Sequence, residues 1–347
     1  MARAPGPYFE RPPKITVSYT QSCNLSCKHC YADCTRTPSP RELGREEWLR
    51  FIDYLVANDF IQVYFEGGEP LQRADFREVL RYCGRRLMTW VRTNGTLVTA
   101  VTAREFRRFG VGTVLVDVMG AHAKTHDWFT GAPGSFKKAC TAVKHFLDVG
   151  IPTYMLIILN RRNAAEINEY LELAARLGAP KVGILRLYPI GRAKRRWDEL
   201  SMSLEDQTKV IAGLRVPDGL RIMQSWHPRD HNCCWQGAAV NAYGDSIGCV
   251  YLREYVRYGN IREMPFLETW KHPLYQQLRS GRVKESCSGC HSTQGTHGGC
   301  RSTAYAFHGR WDAPDPFCTT LNHGVDLREL PERLLQKDAG STDPAGA

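Results

Sequence analysis

Residues 23–31 read CNLSCKHCY and follow directly on a short β-rich run at 15–20, ITVSYT. Cys23, Cys27 and Cys30 are therefore spaced C-x3-C-x2-C on one short loop just after a strand. Three thiolates so placed can hold three corners of a cubane iron-sulfur cluster and leave the fourth iron without a protein ligand. An open metal position is a place for chemistry, whereas structural sites are closed. The other reading of the same residues is a zinc knuckle, with His29 or Cys34 as its fourth ligand.

Outward from this loop, short β-rich runs alternate with amphipathic helical stretches as far as about residue 190, the pattern of a parallel sheet built from βα units. Strands are expected at 15–20, 61–66, 88–93, 113–118, 153–159 and 182–188, and helices at 45–58, 74–83, 102–109, 135–149 and 164–177. Gly150 follows one helix, and Gly178 with Pro180 ends another, where a left-handed cap and a stop belong. Right-handed crossovers wrap such a sheet into a partial (β/α)6 TIM-like barrel, an α/β fold whose reactive face lies at the C-terminal strand ends. Beyond residue 201 the alternation fades into a helix at 204–214, and from 231 to 318 the chain is rich in Cys, Gly and His. That composition is too poor in apolar periodicity for a full core, so metal has to supply folding energy there.

The expected organisation is an N-terminal segment at 1–13, the barrel at 14–200, a connecting helix and linker at 201–230, a Cys-rich domain at 231–325, and a C-terminal helix with a disordered tail at 326–347. Thirteen cysteines in 347 residues, with no secretory signal and no apolar run long enough to span a membrane, argue for a cytoplasmic protein whose thiols hold metal. The 46 Lys and Arg against 36 Asp and Glu give a charge of +10, which suits an anionic substrate. The basic residues are scattered, and only 192–196 form a tight cluster, read either as solvated surface or as an anion site. A specific nucleic-acid partner is not expected.

The loop motif followed by an aromatic residue resembles that of the radical S-adenosylmethionine superfamily, and further landmarks fall where that superfamily has them. Gly67, Gly68, Glu69 and Pro70 follow the second strand as a GGEP motif; the glycines allow a close backbone approach to a ligand, and the resemblance assigns Glu69 to the methionine amine. Thr93, Asn94 and Gly95 resemble the T-N-G turn near the cofactor, though GGEP and T-N-G both also read as plain turns. Asp117, after the fourth strand, takes the place of a ribose-facing residue. Arg186 ahead of Pro189, Gly191 and Arg192 is read either as a grip on the cofactor carboxylate or as one half of a structural ion pair. The resemblance implies a catalytic [4Fe-4S] cluster, S-adenosylmethionine, and an electron donor such as flavodoxin or ferredoxin.

Seven further cysteines, Cys233, Cys234, Cys249, Cys287, Cys290, Cys300 and Cys318, resemble the SPASM/twitch extension that carries auxiliary iron-sulfur clusters. Cys234, Cys249 and Cys300, with Cys233 as a possible fourth, would serve one cluster. Cys287, Cys290 and Cys318 would serve a second, but Thr296 stands where the full pattern has Cys, with His297 beside it, so one auxiliary cluster is expected and two are possible. A zinc ribbon is the other reading of Cys287 and Cys290. Cys83 and Cys140 read as buried apolar residues. Because only 22 residues precede Cys23, a leader-recognition module is not expected. The favoured substrate is thus a small, anionic metabolite such as a sugar or nucleoside, with decarboxylation or dehydrogenation as the reaction. Peptide maturation and haem modification are the alternatives, and the run Ala304, Tyr305, Pro316, Phe317, Cys318 resembles the ending of haem-modifying enzymes.

Overall fold

The computed structural model describes residues 10–226, 237–280, 283, 298–320, 322 and 324–336. Its centre is an eight-stranded sheet in the order β7-β6-β5-β4-β3-β2-β1-β8, with every pairing parallel. The six expected strands are β1 (Lys14–Thr20), β2 (Gln62–Gly67), β3 (Met88–Thr93), β4 (Val111–Asp117), β5 (Thr153–Ile158) and β6 (Lys181–Leu185). Two more extend the sheet, β7 (Arg221–Gln224) beside β6 and β8 (Ala239–Val240) beside β1. β7 escapes a reading by pattern because none of its four residues is fully buried.

Helices α1 (Arg45–Ala57), α2 (Phe76–Gly84) and α3 (Ala100–Phe109) connect the first four strands, and α4 (Ala123–Thr130) and α5 (Ser135–Asp148) lie between β4 and β5. They are followed by α6 (Ile167–Leu177), α7 (Gly191–Arg195), α8 (Trp197–Leu200) and α9 (Leu204–Ala212). After β8 come α10 (Phe266–Thr269), α11 (Pro273–Arg279), α12 (Arg301–His308) and α13 (Glu332–Leu335). Thr99 caps α3 by accepting from the Thr102 N–H, and Gly178 ends α6 in the left-handed conformation. α4 was not anticipated from the sequence; its eight residues are too short for a periodic signal.

Helix-facing apolar residues join the sheet's outer face in one core, in which Tyr19 meets Trp48, Phe65 and Phe76 at ring separations of 5.4, 6.2 and 4.9 Å. Cys83 is buried in that core and Cys140 is half-buried on α5. Among the described residues, no helix is long and apolar enough to cross a membrane.

Candidate active site

The strand ends bring together a cavity lined by Cys23, Cys27 and Cys30 from the loop, Gly67 and Gly68 from the end of β2, Thr93 and Asn94 from β3, and Asp117 from β4. The cysteine loop is held from below. Cys23 N donates to Thr35 O at 2.8 Å and Thr35 N to Gln21 O at 2.9 Å, while the buried Glu42 accepts from Thr20 Oγ1 and Gln21 N at 2.8 and 3.0 Å. α4 fixes the middle of the loop, since Lys28 N and Nζ donate to Phe129 O and Trp128 O.

The GGEP glycines line the cavity and also meet protein backbone closely. Gly68 N and Glu69 N donate to Thr20 O and Ser22 O at 2.8 and 2.9 Å, and a Cβ on Gly68 would stand 1.8 Å from Ser22 O. This pins the second strand's loop to the residues that lead into Cys23.

Glu69 is fully buried behind the cavity wall rather than on its lining. Its Oε1 accepts from Leu71 N at 3.2 Å and its Oε2 from Asn94 N at 2.8 Å, while Thr93 Oγ1 reaches both oxygens at 2.9 and 3.0 Å. The carboxyl therefore clamps the T-N-G turn to the GGEP turn. Burial raises its pKa to about 7 against the pull of these donors. Asn94 in turn directs its side-chain amide to Cys23 Sγ at 3.7 Å and to Asn24 Oδ1 at 2.9 Å.

Glu69→Ala is expected to leave the buried Leu71 and Asn94 N–H groups without partners, at about 1 to 3 kcal/mol each. Melting temperature should fall and Asn94 amide exchange should quicken without any cofactor present, a change that loss of a direct ammonium contact alone would not produce. A pH effect accompanies it. The folded carboxyl binds its proton more tightly than the unfolded one, so the group's stabilisation is present below 4.5 and is lost as pH rises through about 7. That step should vanish in the alanine variant.

The tight basic cluster of the sequence is surface only in part: Arg195 and Arg196 are exposed, while Arg192 turns inward onto the cysteine loop. Gly191, with φ +59°, sits against Cys30 and Tyr31, and Arg192 N donates to Cys30 O at 2.8 Å. The Arg192 guanidinium reaches Cys27 O at 2.8 Å, Cys34 O at 2.9 Å and Asp33 Oδ1 at 3.2 Å, and Arg195 joins it on Asp33 at 2.7 Å. α7 is thus a clamp on the cysteine loop.

The three loop thiols share one desolvated cavity. Burial, with Glu69 next, pushes Cys23 up to about 12, and burial raises Cys27 well above the usual thiol value. Cys30 alone of the three is lowered, to about 6, first by its hydrogen bond with Cys34, whose Sγ lies 4.0 Å away. Positive iron would offset the cost of deprotonating three crowded, desolvated thiols. Among the described residues no three such groups close on a point the size of a single ion; these line a common cavity, which fits a cluster.

Sequence reasoning missed a second wall of charge. Glu66 at the end of β2 accepts from Ser18 Oγ at 3.0 Å and from the Tyr31 hydroxyl, and Arg92 and Arg253 approach it at 3.9 and 3.8 Å. Arg92 holds Asp117 by a two-pronged contact, Nε to Oδ2 at 2.9 Å and Nη2 to Oδ1 at 2.8 Å, so the Asp117 carboxylate is taken by a protein fork. The signal was a charge near the end of each of two parallel strands that carry no other charge, Glu66 in QVYFEG and Arg92 in MTWVRT.

Arg186 does not line the cavity; it takes the ion-pair reading. Its Nη1 donates to Asp315 Oδ2 at 2.6 Å, with both side chains fully buried. Although burial alone would raise it, the Arg186 guanidinium holds Asp315 below the usual carboxylate range. Asp315 also accepts from Thr303 Oγ1 and Cys300 N at 2.7 and 2.8 Å, and its carbonyl accepts from Cys318 N at 3.0 Å. Arg186 therefore organises the C-terminal cysteines rather than the cofactor cavity.

Cys300 is 3.9 Å from the Tyr188 hydroxyl, and Tyr188 stacks on Tyr251 at 3.7 Å and 6°. Cys233, Cys234, Cys287 and Cys290, with Thr296 and His297, lie outside the described residues.

The model of the radical SAM superfamily matches residues 17–174, and that of SPASM, an iron-sulfur cluster-binding domain, matches 233–291. The chain is 30% identical over 341 residues to the AdoMet-dependent heme synthase of Methanosarcina barkeri (strain Fusaro / DSM 804), covering 88% of this chain and 96% of that protein. It is 28% identical over 363 residues to the mycofactocin maturase MftC of Mycolicibacterium smegmatis, covering 96% and 89%. SuiB of Streptococcus suis, solved with S-adenosylmethionine, shares the fold at a TM-score of 0.72 and 17% identity, covering 89% of this chain and 78% of that one.

The chain belongs to the radical SAM superfamily, as an enzyme of the kind that carries a SPASM domain. Its cofactors are a [4Fe-4S] cluster and S-adenosylmethionine, with auxiliary iron-sulfur carried by the SPASM domain. Cys23, Cys27 and Cys30 are the residues that fit the first cluster. Bound there, the cofactors would supply the radical chemistry of the superfamily.

Proposed function

We propose that this radical SAM enzyme acts on a small, carboxylate-bearing metabolite, by oxidative decarboxylation or dehydrogenation, with a flavodoxin- or ferredoxin-type protein as electron donor. The observation that carries the substrate class is Arg92 on the cavity wall. One edge of its guanidinium is locked by Asp117, while Nη1 faces the buried Glu66 at 3.9 Å, too far for a hydrogen bond, and the Tyr251 phenol. A substrate carboxylate that bonds to Nη1 competes there with Glu66 and Tyr251 and leaves the Asp117 edge locked. A tetrapyrrole with propionate side chains belongs to this class, which accords with the similarity to a heme synthase, and so does a uronic acid carried on a nucleoside.

A second reading is favoured by one observation, the 28% identity to a mycofactocin maturase across 96% of this chain. In that reading the carboxylate at Arg92 belongs to a peptide.

The test is anaerobic assay of the reconstituted enzyme with S-adenosylmethionine, reductant and a panel comprising an iron tetrapyrrole propionate, uronic-acid nucleosides and peptides with a free C-terminal carboxylate. Coupled release of 5′-deoxyadenosine and carbon dioxide, or of a dehydrogenated product, from a small acid is the expected result. Arg92→Met should raise KM for that acid at least tenfold, the loss of one charge-assisted hydrogen bond being about 1.5 to 3 kcal/mol. Turnover confined to peptides overturns the small-metabolite reading, and an unchanged KM removes Arg92 from it.

A further inference from the structure

Between the two cysteine regions lies a run of three tyrosines that the cluster assignments leave without a role. Tyr31, next to Cys30, meets Tyr251 edge-on at 5.1 Å, and Tyr251 stacks flat on Tyr188 at 3.7 Å. Tyr188 is buried, and its hydroxyl lies 3.9 Å from Cys300 Sγ, within reach of a sulfur hydrogen bond. Its position is fixed from both ends, because Tyr188 follows β6 just before the α7 clamp, while Ser302 of α12 ties Cys300's helix to the Tyr251 carbonyl at 2.5 Å.

We propose that Tyr188 tunes the auxiliary cluster held through Cys300. The inference rests on the reading of Cys300 as a ligand of that cluster. An iron-bound cysteine sulfur carries no proton, so the phenol O–H is the donor and the sulfur the acceptor. A hydrogen bond to a ligand sulfur offsets negative charge, and reduction adds negative charge to the cluster, so the bond stabilises the reduced form and raises the potential. Tyr251 holds the Tyr188 ring by stacking and joins it to the wall of the catalytic cavity through Tyr31. The auxiliary centre is thereby biased toward taking an electron.

The test uses the full chain with Cys23, Cys27 and Cys30 replaced by Ala, so that residual iron reports the auxiliary site alone. In that background Tyr188→Phe keeps the ring and its stack and removes only the O–H. The expected result is unchanged iron and sulfide, a more negative midpoint potential in an EPR-monitored titration, and loss of an exchangeable proton coupling of the reduced cluster that is present with Tyr188. A merely structural role for the ring would move neither of the last two. An unchanged potential with unchanged proton couplings at full iron content overturns the proposal. Absence of iron in the triple variant with Tyr188 intact overturns the auxiliary-cluster reading itself, and the proposal with it, and the iron analysis tells that failure from the other.

Discussion

Gly191→Ala is expected to yield a protein that folds its barrel and fails to assemble the catalytic cluster. A Cβ at this position would stand 2.5 Å from Cys30 O and 2.6 Å from Tyr31 O, both backbone atoms that move only if the cysteine loop moves. The positive φ of +59° adds strain of about 1 to 2 kcal/mol for any side chain. Displacing the loop also withdraws Arg192 from the Cys27 and Cys34 carbonyls, since both contacts start from the residue after the glycine. A misplacement of about 1 Å is enough to reduce rates on the order of a hundredfold, and 5′-deoxyadenosine formation should fall by at least that much. Gly68→Ala should behave alike, with its Cβ 1.8 Å from Ser22 O. Gly150→Ala is the control, because it shares the positive φ, +75°, but has no heavy atom within 4 Å. Iron and sulfide per chain separate the cases: full loading in Gly191→Ala would show that α7 does not support the loop.

These glycines show how far the chemistry was legible in residues alone, and where it was not. The three loop cysteines were legible because cluster ligation demands thiols at short, fixed spacing, and such spacing survives in one dimension. The six barrel strands were legible because buried parallel strands are written as near-continuous apolar runs. GGEP also stood out, but its reason lay elsewhere: Gly68 is small because Ser22, 46 positions earlier, passes beneath it, and only the fold puts them together. Glu69 was assigned to the methionine amine by the resemblance of GGEP to the superfamily's motif. Its donors, Leu71, Thr93 and Asn94, come partly from the next strand and are hidden from any local pattern. Arg186 shows the same limit at longer range, since its partner Asp315 is 129 positions away. The strand β7 was missed because it is short and exposed, and the helix α4 because its eight residues are too few to repeat a hydrophobic period.

Asp315→Ala is expected to have the largest effect on the C-terminal region. It leaves the Arg186 guanidinium buried over the Phe317 ring without its carboxylate, and an uncompensated buried charge costs about 3 to 5 kcal/mol. It also removes the acceptor of Cys300 N, and so loosens the start of α12 where a cysteine of the auxiliary site stands. Auxiliary iron in the triple cysteine variant should therefore fall, together with thermal stability. Pairing Asp315→Leu with Arg186→Met separates the two effects. Replacing both charges by apolar groups of similar size removes the desolvation penalty, so melting temperature should recover much of its loss. The Cys300 N–H still lacks its partner, so iron should not recover in proportion. If Arg186 instead gripped the cofactor carboxylate, the double variant would regain stability yet lose S-adenosylmethionine binding. Calorimetric titration of S-adenosylmethionine into the stable double variant, with its catalytic cysteines present, decides between the two. Retained affinity assigns Arg186 to the auxiliary cysteines, because its nearest acidic partner lies in their loop and not at the open end of the barrel.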